Sequence, residues 1–497
     1  MAAMSVIVPL PAAKSRFGVS LPLLVALAAF VTVLANASGL LGDPDTYWHI
    51  VVGRWILAHH AVPHADIFSY SKPDAPWVPH EWLAETIFAP LYDGCGWNGL
   101  VLATALSLAA ALAILTRALL RWLEPVHALA AVAAAWGLIL AHLLARPHIL
   151  TLPIMVLWFA ALVDARERDR APPLWLAALM TLWANLQGGY MFGLVFAALF
   201  AGEAMLGAPT RAARLVVVKQ WGTFGAVSLA ASLLTPNGFA GWWLPFHLLS
   251  MKFALSVLVE WQSPNFQTVQ PLEIWLVVAL ALALGFGVKL PPTRIAMLLL
   301  LLHMSLAHRR QAEVLGLVAP LLVAPSLGAF IRSRSRRHQA VALDGALADL
   351  ARSASLRGTI AVGLVAVALV ALFVQAPLVR KPDVYTPAAA LNFAVAHDLT
   401  GPVFNDYGFG GYLIFSGVKP FIDGRTDMYG DAFVKRYVEA MRGVTGELPA
   451  MLDQYHATWT LFAAKSPAVT LMDHLEGWKR VYADDTAVIH VRADATP

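Results

Sequence analysis

Long apolar runs recur along the first three quarters of the chain, with short polar stretches between them. A helix needs about 20 mostly apolar residues to cross the hydrocarbon core of a bilayer. Runs of this kind lie at 20–41, 97–120, 126–145, 148–164, 173–187, 189–206, 220–236, 271–288, 294–308, 312–331 and 358–377. They predict a polytopic α-helical membrane protein with about eleven transmembrane helices, several of them short. After Arg380 the pattern changes, and apolar stretches shorten and alternate with polar turns. PVFN, KPFID, TWTLFAA and AVIHVR read as strands, the last following a turn at Asp484-Asp485 that joins a final pair. Pro387–His397, Asp431–Arg442 and Pro467–Leu475 read as helices between them. Such alternation predicts a small α/β domain. The expected organisation is a transmembrane domain over 1–379, with a long first loop at 42–96, and an α/β domain over 380–497.

Composition agrees. Of 497 residues 59% are hydrophobic and 13% charged, whereas a soluble domain carries about 25% charged residues. The isoelectric point near 9.1 does not indicate a nucleic-acid partner, because the basic residues lie at the ends of apolar runs and form no single patch. Lys14, Arg16 and most Lys and Arg of the spanning region fall in alternate loops, which the positive-inside rule places in the cytoplasm. The RSRSRR stretch from Arg332 to Arg337 reads as one such loop. The segments 42–96 and 237–270 and the C-terminal domain are then extracytoplasmic. The first apolar run is longer than a signal-peptide core and reads as a retained helix. The lone Cys95 excludes an intrachain disulfide.

The first loop carries the densest candidate chemistry. Asp43, Pro44 and Asp45 open a helix expected to reach about His60. Asp43 suits the N-cap, Pro44 the first helical position, and Asp45 the positive end of the helix dipole. Asp45 and His49, four residues apart, share one face. Trp48, Val52, Trp55 and Ile56 form the opposite face, which is expected to lie on the membrane interface. Arg54, Asp66, His80 and Glu81 add polar groups, and Leu83–Leu91 reads as a short interfacial helix. His80 and Glu81 are adjacent, so they cannot share a helix face. No cofactor is required by these residues. A divalent metal on Asp43 and Asp45, with His80 and Glu81, stays open, although the spacing matches no zinc pattern.

Further polar groups sit at span ends on the same side: Arg146 with His148, Glu260 with Trp261, and Arg309 with Arg310. Paired guanidiniums suit a phosphate, or they snorkel to lipid headgroups. In the C-terminal domain, Asn405, Asp406 and Tyr407 follow one expected strand, and Asp423 and Arg425 follow the next. Strand ends in α/β folds are common ligand sites; a structural Asp–Arg turn is the alternative. The glycines of NDYGFGG lack the dinucleotide spacing.

GDPDTYWH, GRWI, FSY and HEWLAE in the first loop, with NDYGFGGYLI and KPFIDGRTDMYGD near the C-terminus, resemble a group of uncharacterised bacterial membrane proteins related to the GT-C glycosyltransferase superfamily. A more distant similarity is to the catalytic subunit of oligosaccharyltransferase, through Asp43-Pro44 and Asp406-Tyr407-Gly408. Two features depart from that subunit. Phe404 and Asn405 stand where it has paired Trp, and Arg146-Pro147-His148 stands where a second acidic motif is expected. Metal-dependent transfer to protein asparagine is therefore not implied. The resemblance implies an inverting hexosyl- or pentosyltransferase of GT-C-like fold in the bacterial inner membrane. It would move a sugar from a polyprenyl-phosphate or polyprenyl-diphosphate donor to an extracytoplasmic glycan, lipid or protein. Asp43 or Asp45 would be the base, Arg309 and Arg310, with Arg146, would hold the phosphate, and His49, His80 and Glu81 would position the acceptor or tune the base. Its partners would be the lipid-linked sugar, membrane lipid and envelope-polysaccharide assembly proteins, with no nucleic acid. The alternatives are a non-catalytic scaffold and a lipid-linked sugar transporter. A transporter would place ionisable residues near the bilayer midplane rather than at one face.

Overall fold

The computed structural model describes residues 14–334, 342–381, 383–444 and 446–493. Arg336 and Arg337 of the basic stretch lie outside the described residues. The helices of the first part are α1 Leu21–Ala35, α2 Asp45–His59, α3 Trp82–Cys95, α4 Trp97–Leu119, α5 Pro125–Leu140, α6 Leu152–Glu167, α7 Ala177–Leu186 and α8 Tyr190–Gly207. They continue as α9 Arg211–Ser232, α10 Gly238–Ser250, α11 Lys252–Val257, α12 Pro271–Phe286, α13 Pro292–Ala307, α14 Ala312–Arg334, α15 Ala342–Leu350 and α16 Leu356–Gln375.

Among the described residues, five stretches are long and apolar enough to cross a membrane: Trp97–Leu119, Pro147–Glu167, Tyr190–Gly207, Arg309–Arg334 and Leu356–Gln375. Five shorter apolar helices accompany them: Leu21–Ala35, Pro125–Leu140, Leu174–Leu186, Pro271–Phe286 and Pro292–Ala307. This is a membrane protein, and each run expected to span contains a helix. Two expected boundaries differ. The run 20–41 breaks at Asn36, whose side-chain amide donates to the Thr32 carbonyl (2.8 Å) and ends α1. The helix expected from 220 starts at Arg211, where Thr210 accepts the Ala213 N–H (3.1 Å) as N-cap.

The helical core is mostly apolar. Leu100, Leu108, Leu112 and Leu115 of α4 are buried with Trp158 and Phe159 of α6, Phe196 and Phe200 of α8 and Leu315 and Leu322 of α14. In a bilayer such faces associate through close packing, since lipid tails are as apolar as leucine. At one end of the bundle Arg294, 1% exposed, is held by Glu203 (3.1 Å) and Glu167 (2.7 Å), at the C-terminal ends of α8 and α6. The candidate site lies at the other end of the same helices.

After α16 the chain forms α17 Ala388–Ala396, β1 Val403–Asn405, α18 Gly410–Phe415, α19 Thr426–Tyr429, α20 Asp431–Met441, α21 Glu447–Gln454, β2 Trp459–Ala463, α22 Pro467–Asp473, β3 Trp478–Ala483 and β4 Ala487–Arg492. The sheet order is β1-β2-β4-β3, with β1 parallel to β2 and the other pairs antiparallel. KPFID is not a strand, which corrects the sequence expectation. The Asn405 side chain takes the place of a ladder there. Its Oδ1 accepts the Phe421 N–H (2.7 Å) and its Nδ2 donates to the Ile422 carbonyl (2.8 Å). Pro420 has no N–H to offer a neighbour.

A second correction concerns α2. Trp48, Val52 and Ile56 are buried in one cluster with Phe404, Phe421, Ile422 and Met428 of the C-terminal part, and Trp55 packs against that cluster. The face expected on the membrane interface is thus covered by protein.

Candidate active site

The site begins at the first turn of α2. Asp43, 2% exposed, accepts the Asp45 N–H on Oδ1 (2.7 Å), which is the expected capping role displaced by one residue, since the helix starts at Asp45. Its Oδ2 lies 2.5 Å from Nε of Arg146. Nη2 of Arg146 donates to Oδ2 of Asp45 (2.8 Å), and Nη1 donates to Oε1 of Glu260. One guanidinium is therefore shared by three carboxylates, two from the turn that opens α2 and one from the Val259–Trp261 turn. Oδ1 of Asp45 accepts the Trp48 indole N–H (3.1 Å). Nη1 of Arg380 donates to the Asp43 carbonyl (2.7 Å), and its guanidinium lies 4.4 Å from the centre of the Tyr47 ring.

The array continues past Glu260. Its Oε2 accepts from Nη1 of Arg310 (3.4 Å), whose guanidinium lies 5.1 Å from the Trp261 ring centre. Arg309 Nη2 is 3.4 Å from Nδ1 of His142. His148 Nε2 is 3.5 Å from Oε2 of Glu313. Arg310 is thus linked to the Asp43–Asp45 turn through Glu260 and Arg146, whereas Arg309 meets His142.

Electrostatics separates the carboxylates. Burial, then the neighbouring Asp43 and Glu260 charges, raises Asp45 to about 7 despite the ion pair with Arg146. Burial opposes ionisation of Glu260 as well, but Arg146 and Arg310 outweigh it and hold that group at about 2. A carboxyl that titrates near neutrality thus lies beside one that stays ionised.

His49 sits deeper, between two glutamates. Nδ1 is 3.0 Å from Oε1 of Glu85 and Nε2 is 3.5 Å from Oε2 of Glu81, and the Trp48 ring covers it at 3.7 Å between centroids. Burial pushes His49 well below its usual range and Glu85 well above. Among the described residues, Oε2 of Glu85 has no hydrogen-bond partner. His80 is half-buried, and a Cβ on Gly188 would lie 3.7 Å from its ring. An open cleft of about 660 Å³ lies beside this group, lined by Trp82, Leu83, Thr181, Leu182, Asn185 and Leu233.

The C-terminal part closes over α2 by direct backbone approach. A Cβ on Gly424 would fall 1.8 Å from Oδ1 of Asp45, and one on Gly411 would fall 2.3 Å from the Pro44 carbonyl. Only glycine permits these contacts. Tyr407 faces the same corner, with its hydroxyl 2.7 Å from Oγ1 of Thr426 and 3.4 Å from the Gly424 carbonyl.

Several candidates have architectural surroundings instead. Arg425, 1% exposed, binds Asp423 (2.7 Å) and Asp66 (2.7 Å), which joins the 42–96 segment to the C-terminal part. Asn405 holds the 420–422 segment, and Asp406 accepts the Gly408 N–H (3.1 Å) in the turn before α18. Arg54 is turned away; it pairs with Asp93 (2.5 Å) on the surface. Sequence reasoning missed Glu85, His142, Glu313 and Arg380. Glu85 was within reach of it, because it lies four residues after Glu81, one helical turn along the same face. The others depend on helix packing between distant segments.

A metal does not fit this donor arrangement. The Asp43 and Asp45 oxygens face the Arg146 guanidinium, and among the described residues no three His, Cys, Asp or Glu converge as ligands.

No family model matches the chain, and no curated protein matches it. Among solved structures, ArnT from Cupriavidus metallidurans bound to undecaprenyl phosphate aligns at a TM-score of 0.45. Identity is 11%, over 94% of this chain and 97% of that one.

Proposed function

We propose that this chain is a GT-C-type membrane glycosyltransferase that takes a sugar from a polyprenyl-phosphate donor at the extracytoplasmic face. The observation that carries the reading is the pairing of Asp45, titrating near 7, with a row of guanidiniums at the end of the spanning helices. A base poised near ambient pH is what hydroxyl activation needs. Arginines beside it suit a leaving phosphate.

In this reading Asp45 removes the proton from an acceptor hydroxyl. The oxygen attacks the anomeric carbon as the bond from that carbon to the phosphate oxygen breaks. The lipid phosphate leaves with the electron pair, neutralised by Arg310 and Arg309, and the anomeric centre inverts. Asp43 is the positioning residue, because one oxygen caps α2 and the other pairs with Arg146. His49, Glu81 and His80 shape the acceptor side. The cleft at Trp82 offers an apolar wall for a lipid chain. The domain division at 379/380, with both the 42–96 segment and the C-terminal part outside, belongs to the same proposal.

The test is transfer by the purified, detergent-solubilised protein. Radiolabelled polyprenyl-phosphate sugars are offered with lipid and glycan acceptors. Sugar transfer with release of lipid phosphate is expected, and it should be lost in Asp45→Asn. If no lipid-linked sugar binds and Asp45→Asn keeps its cellular function, the protein is a scaffold instead.

A further inference from the structure

Glu260 has an unusual position for a carboxylate beside a proposed phosphate site. Its two oxygens are divided between two guanidiniums from different segments, Arg146 before α6 and Arg310 before α14. Two guanidiniums converging on one small anion form the arrangement that binds phosphate oxygens. We propose that Glu260 is a displaceable occupant of that subsite, holding Arg146 and Arg310 in place until the phosphate of the donor takes its position. This inference rests on the transferase reading and adds a residue that competes with the donor.

Three observations single out Glu260 among the carboxylates on Arg146. Asp43 is 2% exposed and is fixed by the α2 cap, and Asp45 lies under Gly424 and bonds Trp48. The Glu260 side chain is 40% exposed, on the short turn Val259–Trp261, which buries none of its residues. Water can therefore solvate this carboxylate when it turns away from the guanidiniums, which the buried Asp43 does not allow. The turn backbone, by contrast, is tied down. The Arg309 N–H donates to the Gln262 carbonyl (3.0 Å), and Nδ1 of His308 lies 2.6 Å from the Trp261 carbonyl. Displacement therefore requires only rotation of the Glu260 side chain, while Arg310 stays where a phosphate would meet it. A phosphodiester donor carries one charge, as the carboxylate does, and the lipid phosphate released from it carries up to two, so the exchange is balanced on entry and favours the phosphate as the glycosidic bond breaks.

If the occupied form dominates in the free protein, apparent affinity is reduced by the fraction of open sites. Binding of farnesyl phosphate to the full-length protein in detergent tests this by calorimetry, with inorganic phosphate and farnesol as the other probes. Glu260→Gln should bind farnesyl phosphate about tenfold more tightly than the wild type, and Arg310→Gln more weakly. Tightening of inorganic phosphate as well supports the inference and assigns the gain to the phosphate itself. Equal or weaker binding by Glu260→Gln overturns it while leaving the transferase reading intact. Equal tightening of farnesol also overturns it, since the gain would then be apolar. If neither wild type nor Glu260→Gln binds any phosphate probe, both the inference and the phosphate site of the transferase reading fail.

Discussion

At the residue scale, function turns on how one guanidinium is shared. Arg146 is bound by Asp43, Asp45 and Glu260; burial and the neighbouring carboxylates raise Asp45, whereas Arg146 and Arg310 hold Glu260 down. The sign of the resulting pH effect is fixed. A carboxyl whose folded value is raised binds its proton more tightly in the native state. Its stabilising contribution is complete below the ordinary value of 3.8 and is lost as pH rises through about 7. Thermal unfolding of the wild type should therefore show a fall in stability across that window, and Asp45→Asn should flatten it. Asp43→Ala removes a helix cap and should cost about 1 kcal/mol from that source alone, with Arg146 freed as well; chemical denaturation measures it. Little of this was legible in the sequence. The acids and arginines stood out as candidates, but only helix packing could reveal that Arg146 is their common partner across a hundred residues of chain.

At the element scale, α2 is clasped from two sides. A Cβ on Gly53 would meet the Glu85 carbonyl at 2.0 Å, and one on Gly424 would meet Asp45 at 1.8 Å. Overpacking of this kind typically costs about 1–3 kcal/mol. Gly53→Ala should lower the melting temperature by separating α2 from α3. Gly424→Ala should push directly on the Asp45 carboxylate and so reduce turnover more than stability. Arg425→Met leaves Asp66 and Asp423 buried without their cation, a loss of about 3–5 kcal/mol. Limited proteolysis should then release the C-terminal part faster than in wild type. Helices were legible in the sequence because most of the spans hold a helix of 15 to 23 residues and leave a long apolar signal, α7 with 10 being the exception. KPFID was not, because its apolar alternation is that of a strand while Asn405 supplies the partner through a side chain. The burial of Trp48, Val52 and Ile56 was also hidden, since lipid and a protein partner select the same residue types.

At the scale of the whole molecule, polar chemistry is divided between the two ends of the bundle. Arg294 with Glu203 and Glu167 ties one end, and the carboxylate–guanidinium row occupies the other. The proposed orientation places the second end outside. Cys95, the lone cysteine and exposed at the end of α3, is a natural reporter of it. A membrane-impermeant maleimide should label it in right-side-out vesicles and not in inside-out ones; the reverse pattern contradicts the orientation. The central claim, that Asp45 is the base of a glycosyl transfer, is tested most directly by single-turnover transfer from a bound polyprenyl-phosphate sugar across the pH range. The wild-type rate should climb as pH passes about 7. Asp45→Asn should bind the donor normally but transfer about 10²–10⁴-fold more slowly, with that rise abolished. An Asp45→Asn rate close to wild type, with the same pH dependence, would contradict it.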